Sequence, residues 1–135
     1  MRYLLDTNTC IAAMRQRPAV IARLGALAPD DCAVSTITVY ELYTGVEKCS
    51  DPLRERPKVE RLLTALHIVE FDSVAAIESG HIRAVLERSG QSIGPYDLLL
   101  AGHALTLQLV MVTNNVKEFA RVPGLVVEDW HAPPP

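Results

Sequence analysis

At 135 residues, with 49% hydrophobic and 21% charged positions, the chain is long enough to bury a sizeable core and too apolar to be disordered. A formal net charge of −3 gives no general attraction for a polyanion, so any nucleic acid would have to be held by a local patch or through cations. The longest apolar run, Leu98 to Val112, is broken by Gly102, His103, Thr106 and Gln108 and is too short to cross a bilayer, so no membrane partner is expected.

In chain order, Tyr3-Leu4-Leu5 reads as a first strand, followed by a helix from about Thr9 to Arg15. Asp6 stands where a secretory apolar segment would continue; no signal peptide is expected, and a cytoplasmic location follows by default. Pro18 suits the first turn of a second helix ending near Leu27. Cys32 to Ser35 is a short strand, and Thr38 is read as the cap of a helix running to about Lys48. Cys49 to Lys58, with Pro52 and Pro57, looks like a linker before a helix to about Leu66 and a strand at Ile68 to Glu70. Asp72 or Ser73 caps a long helix stopped by Gly90, and Gly94-Pro95 opens another through about Leu107. Val110 to Val112 is a strand, Asn115 to Ala120 a short helix and Leu125 to Val127 a last strand. Residues 1–132 are expected to form one domain, with Pro133 to Pro135 a loose tail.

Strands that are apolar throughout, alternating with helices, suit a parallel sheet covered on both faces, so the fold class is α/β. Ligands of such sheets collect beyond the carboxyl ends of the strands. Cys10, Cys32 and Cys49 are odd in number, widely spaced and lack a Cys-x-x-Cys pair, which reads as reduced thiols without a disulfide or zinc. His67, His81, His103 and His131 show no paired metal spacing, and His103 is read as a packed helix histidine.

Three acids stand apart. Asp6 is the only charged residue between Arg2 and Arg15, Glu41 the only one between Asp31 and Glu47, and Asp97 the only one between Arg88 and Lys117. Glu41 and Asp97 have no base three or four positions away, and Arg2, four before Asp6, is separated from it by the first strand, so no helical ion pair explains them. Each has an ordinary alternative: Asp6 could cap the next helix, Asp97 could complement a helix N-terminus, and Glu41 could be solvated. Together, at one end of a sheet, they would repel one another strongly. Hard divalent ions such as Mg²⁺ or Mn²⁺ relieve that repulsion and support phosphoryl hydrolysis.

Leu5-Asp6-Thr7-Asn8, then Thr38 to Gly45, Ile93-Gly94-Pro95-Tyr96-Asp97 and Val112 to Phe119 together resemble the PIN-domain nucleases. Within them the chain is similar to the VapC toxins of bacterial type II toxin–antitoxin pairs, over nearly its whole length. The resemblance implies a mostly parallel five-stranded sheet in a three-layer sandwich. It also implies Mg²⁺- or Mn²⁺-dependent endoribonuclease activity, a homodimer, and neutralisation by a small VapB-type antitoxin. By matching position, Asp6, Glu41 and Asp97 would be metal ligands and catalytic acids, with Thr7, Asn8 and Thr113 as polar supports. Asn115 stands where many relatives carry a fourth acid; it offers a carbonyl oxygen without charge. Glu118 could compensate for that or be a solvated residue. Arg15, Arg17, Arg83, Arg88, Lys117 and Arg121 are candidates for an RNA path, with Arg15, Arg83 and Lys117 taken first. The resemblance suggests transfer RNA as substrate.

Two other readings have a sequence test. A haloacid-dehalogenase-type phosphatase needs a second Asp two residues after Asp6, where Asn8 stands. A catalytically silent binding module would have no need of all three acids.

Overall fold

The computed structural model describes residues 1–132, so the expected Pro133 to Pro135 tail lies outside the described residues. Five parallel strands form one sheet: β1 (Tyr3–Leu5), β2 (Cys32–Ser35), β3 (His67–Val69), β4 (Val110–Val112) and β5 (Val127–Glu128), in the order β3-β2-β1-β4-β5. Around them lie α1 (Thr7–Met14), α2 (Pro18–Gly25), α3 (Thr36–Lys48), α4 (Pro52–Thr64), α5 (Ser73–Arg88), α6 (Pro95–Leu107) and the short α7 (Val116–Phe119). The expected α/β class and parallel sheet are both present.

Side chains alternate across each strand and so feed two cores. Tyr3 and Leu5 of β1, Val34 of β2 and Val112 of β4 pack with Cys10, Val20, Leu42, Val59 and Trp130. Leu4, Ala33 and Met111 face the other way, onto Ile82, Leu86, Leu100, Ala104 and Phe119. Because β1 and β2 are buried on both faces, they are apolar at nearly every position.

The chain runs outward from β1 through β2 to β3, then returns to place β4 on the other side of β1. That reversal opens a crevice at the carboxyl ends of β1 and β4, where sheets of this kind bind ligands. Tyr3 to Leu5 pair with Val110 to Val112, and the Asp6 N–H donates to the Val112 carbonyl at 3.0 Å. Asp6 and Thr113 therefore leave adjacent strands side by side.

Several boundaries differ from expectation. The segment read as a linker is mostly helix, since α4 begins at Pro52. Asp51 caps it by accepting the Arg54 N–H, and Pro52 sits in the first turn, where its missing N–H costs nothing. Pro57 lies inside α4, on an exposed face, while Val59 and Leu63 anchor the helix in the core. Helix α1 starts at Thr7 rather than Thr9, and β3 and β5 each differ from their predicted range by a residue or two.

Ser35, not Thr38, caps α3: its Oγ accepts the Ile37 N–H at 3.1 Å. Thr38 is instead fully buried one turn into the helix, with no hydrogen-bond partner for its hydroxyl among the described residues. Ser35 Oγ also lies 2.9 Å from His103 Nδ1, and His103 makes a backbone hydrogen bond to Glu70. Burial holds the imidazole below its ordinary pKa, so it is neutral at pH 7, with one nitrogen donating and one accepting. This buried relay joins α6 to the start of α3. Ser35→Ala removes a cap and strands a buried ring nitrogen, and is expected to cost about 1–3 kcal/mol in urea unfolding.

The remaining helix ends follow the sequence. Asp72 caps α5 through the Ala75 N–H at 3.0 Å, and Gly90, at φ +69°, turns the chain away after its last turn. Gly94 and Pro95 open α6.

Candidate active site

Asp6 is almost fully buried at the tip of β1. Its Oδ1 accepts the Thr9 N–H at 2.8 Å, so the capping role open to it in the sequence is real. One carboxylate oxygen is thereby committed. Thr9 is itself fixed, its hydroxyl lying 3.2 Å from the Val112 carbonyl and 3.0 Å from His131 Nε2.

Glu41 arrives from α3. Its Oε1 accepts from the Thr7 hydroxyl at 2.7 Å, a bond between the first turn of α1 and the helix that follows β2. Asp97 arrives in the first turn of α6, where it also complements the helix N-terminus. Its carboxyl is pushed up to about 6, first by burial and then by the negative fields of Glu118 and Asp6. The same fields place Asp6, Asp97 and Glu118 in one neighbourhood.

Glu118 is half-buried and bonded, not solvated. It accepts the Gly94 N–H with Oε1 and the Asn115 amide with Oε2. Asn115 Nδ2 also reaches Asp97 Oδ2 at 3.5 Å. A side chain at Gly94 would put its Cβ 3.3 Å from Glu118 Oε1 and 3.8 Å from Asp97 Oδ2, so the glycine leaves room for two carboxylates. Thr113 is buried beneath, its hydroxyl accepting the Asn115 N–H at 2.9 Å. It supports the turn that presents Asn115.

Among the described residues, no three His, Cys, Asp or Glu side chains are drawn together closely enough to hold a metal ion as they stand. Asp6, Glu41 and Glu118 each spend an oxygen on a neighbouring donor. What the rim offers is nevertheless an all-oxygen, net-negative donor set, with one carboxyl pushed up by burial and then by its neighbours' charge. Those are the attributes of a site suited to a hard divalent cation.

Two clefts open along α1, one of them beside Glu41. One, of about 360 Å³, is lined by Glu41 with Ile11, Met14, Arg15, Gly45 and Lys58 among others. The other, of about 470 Å³, is polar: Asn8, Arg15, Arg17, Asn114 and His131 line it. Arg15 borders both, a position suited to the RNA path expected of it. Arg83 lies elsewhere, in a cleft between α5 and α6 that none of the three isolated acids lines, and donates to Glu87 at 2.9 Å. Arg88 is exposed near the end of α5, and Lys117 is exposed on α7, next in sequence to Val116 and Glu118. Arg121 donates to the Ser92 carbonyl at 3.0 Å.

For Tyr40 and Tyr96 the sequence favours core or interface over a base-stacking platform. Both are exposed, and their hydroxyls lie 3.0 Å apart across α3 and α6. The bond to Tyr40 is the main reason the Tyr96 hydroxyl is held above its ordinary pKa, with a lesser push from Glu41. Cys10 and Cys32 are buried, Cys49 is half-buried, and all three are free thiols, as expected. His103, 1% exposed, is the packed helix histidine that was anticipated.

A PIN domain model matches residues 3–125. The chain is 43% identical over 130 residues to the tRNA(fMet)-specific endonuclease VapC of Salmonella typhimurium, covering 96% of this chain and 98% of that one. It is 38% identical over 132 residues to ribonuclease VapC2 of Rickettsia felis, with the same coverage. Among solved structures it superposes on DNA-bound VapBC from Salmonella typhimurium with a TM-score of 0.91 at 42% identity, covering 96% of this chain and 98% of that chain. VapBC-1 from nontypeable Haemophilus influenzae gives a TM-score of 0.87 at 32% identity, covering 98% and 100%. With its parallel sheet, its acids at the β1–β4 crevice and these full-length likenesses, the chain belongs to the PIN-domain family, in the branch of the VapC ribonucleases.

Proposed function

We propose that this chain is an endoribonuclease toxin, neutralised by a small VapB-type antitoxin, that cleaves RNA with the help of Mg²⁺ or Mn²⁺. The observation that carries the catalytic part is the placing of Asp6 at the tip of β1 and of Asp97, linked through Asn115 to Glu118, at the β1–β4 crevice, where burial and then the charges of Glu118 and Asp6 hold the Asp97 carboxyl at about 6. Relatives named as ribonucleases and neighbours crystallised as VapBC complexes support the substrate class and the partner. Transfer RNA is the substrate we favour, by likeness to the Salmonella enzyme. Residues 1–132 act as one nuclease unit in the cytoplasm.

In this reading Asp6, Glu41 and Asp97 hold the ion, with the Asn115 carbonyl and Glu118 at its edge. When bound, such an ion offsets the charge of the phosphodiester and makes a nearby water more acidic. Thr7 keeps Glu41 turned toward the crevice, and Asn115 links Asp97 to Glu118. Arg15, Arg17 and Lys117 supply the positive charge that a chain of net charge −3 lacks overall. Water attacks phosphorus and the 3′-oxygen leaves, giving a 5′-phosphate on the downstream fragment. A homodimer belongs to the same proposal, supported by Val74 and Ile77, one turn apart on α5 and 61% and 75% exposed.

Incubation with RNA and Mg²⁺ or Mn²⁺, followed by mapping of the new ends, tests the chemistry. Cleavage stopped by EDTA and leaving 5′-phosphates is expected. A 2′,3′-cyclic phosphate would mean attack by the ribose hydroxyl and would overturn the mechanism.

A further inference from the structure

The chain has few aromatic residues: two Phe, one Trp and four Tyr. Tyr3, Phe119 and Trp130 are buried in the two cores, and Tyr43 and Phe71 are half-buried. Only Tyr40 and Tyr96 among the described residues are exposed, at 54% and 42%, and they touch each other. Their ring centroids are 5.7 Å apart with planes tilted by 54°, and the hydroxyls are 3.0 Å apart.

Their position is informative. Tyr40 immediately precedes Glu41 on α3, and Tyr96 immediately precedes Asp97 on α6. Two helices from distant stretches of sequence each present an aromatic ring next to a proposed metal ligand. Leaving large rings in water forgoes the gain from burying them, so a core role does not account for the pair. The mutual hydroxyl bond restrains both rings, and among the described residues neither hydroxyl has another side-chain hydrogen-bond partner. A restrained, exposed ring pair has lost little further freedom to lose on binding.

We propose that Tyr40 and Tyr96 form a stacking platform for an unpaired base next to the phosphodiester to be cut. This deepens the ribonuclease reading and rests on it. Every nucleobase has a π-face, so stacking on tyrosine tolerates sequence but requires that the base be free of its own duplex neighbours. The platform therefore selects loops and single strands over paired RNA. Tyr40 and Tyr96 are specificity-determining residues here, separate from the acids that carry the chemistry.

The test uses the full chain and two RNAs of the same sequence content, a hairpin with an open loop and a fully paired duplex. Tyr40→Ala and Tyr96→Ala are each expected to raise KM for the loop RNA by about 10-fold to 100-fold, with the effect falling on KM more than on kcat. Tyr40→Phe and Tyr96→Phe, which keep the ring, should recover most of that loss. Binding is followed separately, in EDTA, with a loop carrying 2-aminopurine, whose emission reports stacking without any cleavage. Quenching by wild type that is lost in the Ala variants supports the platform. Unchanged quenching and KM in folded Ala variants overturn it. So does a change of oligomeric state in sedimentation with RNA affinity intact, which would make the pair a protein interface. If wild type cuts no RNA under any metal, the ribonuclease reading fails on its own, and the quenching experiment still decides whether the ring pair holds a base.

Discussion

Replacing Asp97 by Asn is expected to lower RNA cleavage by at least about 100-fold, because even outer partners of metal ligands cost about 10–100-fold when removed. The same change should make the metal-free protein more stable at neutral pH. Burial, then Glu118 and then Asp6 push the Asp97 carboxyl from 3.8 to about 6. An acid whose pKa is higher folded than unfolded binds its proton more tightly in the fold. It adds stability below pH 4, and that contribution fades as pH rises through 6, beyond which the ionised group is penalised relative to the unfolded chain. Asparagine carries no such penalty. In EDTA at pH 7.5 the variant should exceed wild type by about 1–2 kcal/mol, with the advantage shrinking toward pH 4.5. Adding Mg²⁺ should raise the melting temperature of wild type and leave the variant nearly unmoved. A variant that is less stable than wild type in EDTA at pH 7.5 would contradict the crowding of negative charge described here.

The second large effect lies in the packing behind that acid. A Cβ at Gly102 would fall 2.1 Å from Ser79 Oγ and 2.9 Å from the Ser79 backbone N and Cα. Ser79 cannot easily retreat, since it is buried on α5 and its hydroxyl donates to the Ala75 carbonyl at 2.8 Å. Gly102→Ala must therefore separate α5 from α6 and is expected to cost about 3 kcal/mol, at the high end of overpacking effects. Ser79→Ala in the same chain should restore only part of this, because the backbone contacts remain. Helix α6 also carries Asp97, so cleavage should fall along with the urea midpoint. Full stability in the single variant would show that the two helices are less closely fitted than their contacts indicate.

How much could be read in the sequence depended on how local each signal was. Asp72 before an apolar helix, Gly90 after it, and Gly94-Pro95 before the next are cues contained within a few residues, and each marks a real boundary. That no helical ion pair accounts for Asp6, Glu41 or Asp97 was also visible, and the structure brings Asp6 and Asp97 into each other's field. Local cues misled where two candidates competed. Pro52 and Pro57 suggested a linker, yet one proline fits a helix start and the other lies on an exposed face, while Val59 and Leu63 supply the buried anchors. Thr38 was read as the cap of α3, and the chain's path out of β2 gives that role to Ser35 instead. Glu118 stayed open between two roles, and the contact of Tyr40 with Tyr96 was out of reach, for a different reason. Their meaning comes from Gly94, Asn115 and each other, partners set by how α3, α6 and α7 meet around the sheet.

The return of the chain to place β4 beside β1 has a consequence in time. Asp6 is made well before its companions from α6 and the turn after β4, which lie some ninety residues or more further along the chain. Until that part leaves the ribosome, β1 lacks its second neighbour and the acids lie on separate, unassembled pieces. Docking of the late segment closes the sheet and gathers them together. On the proposed assignment of the acids, a chain made only as far as α5 would not cut RNA, and activity would appear when α6 and β4 dock.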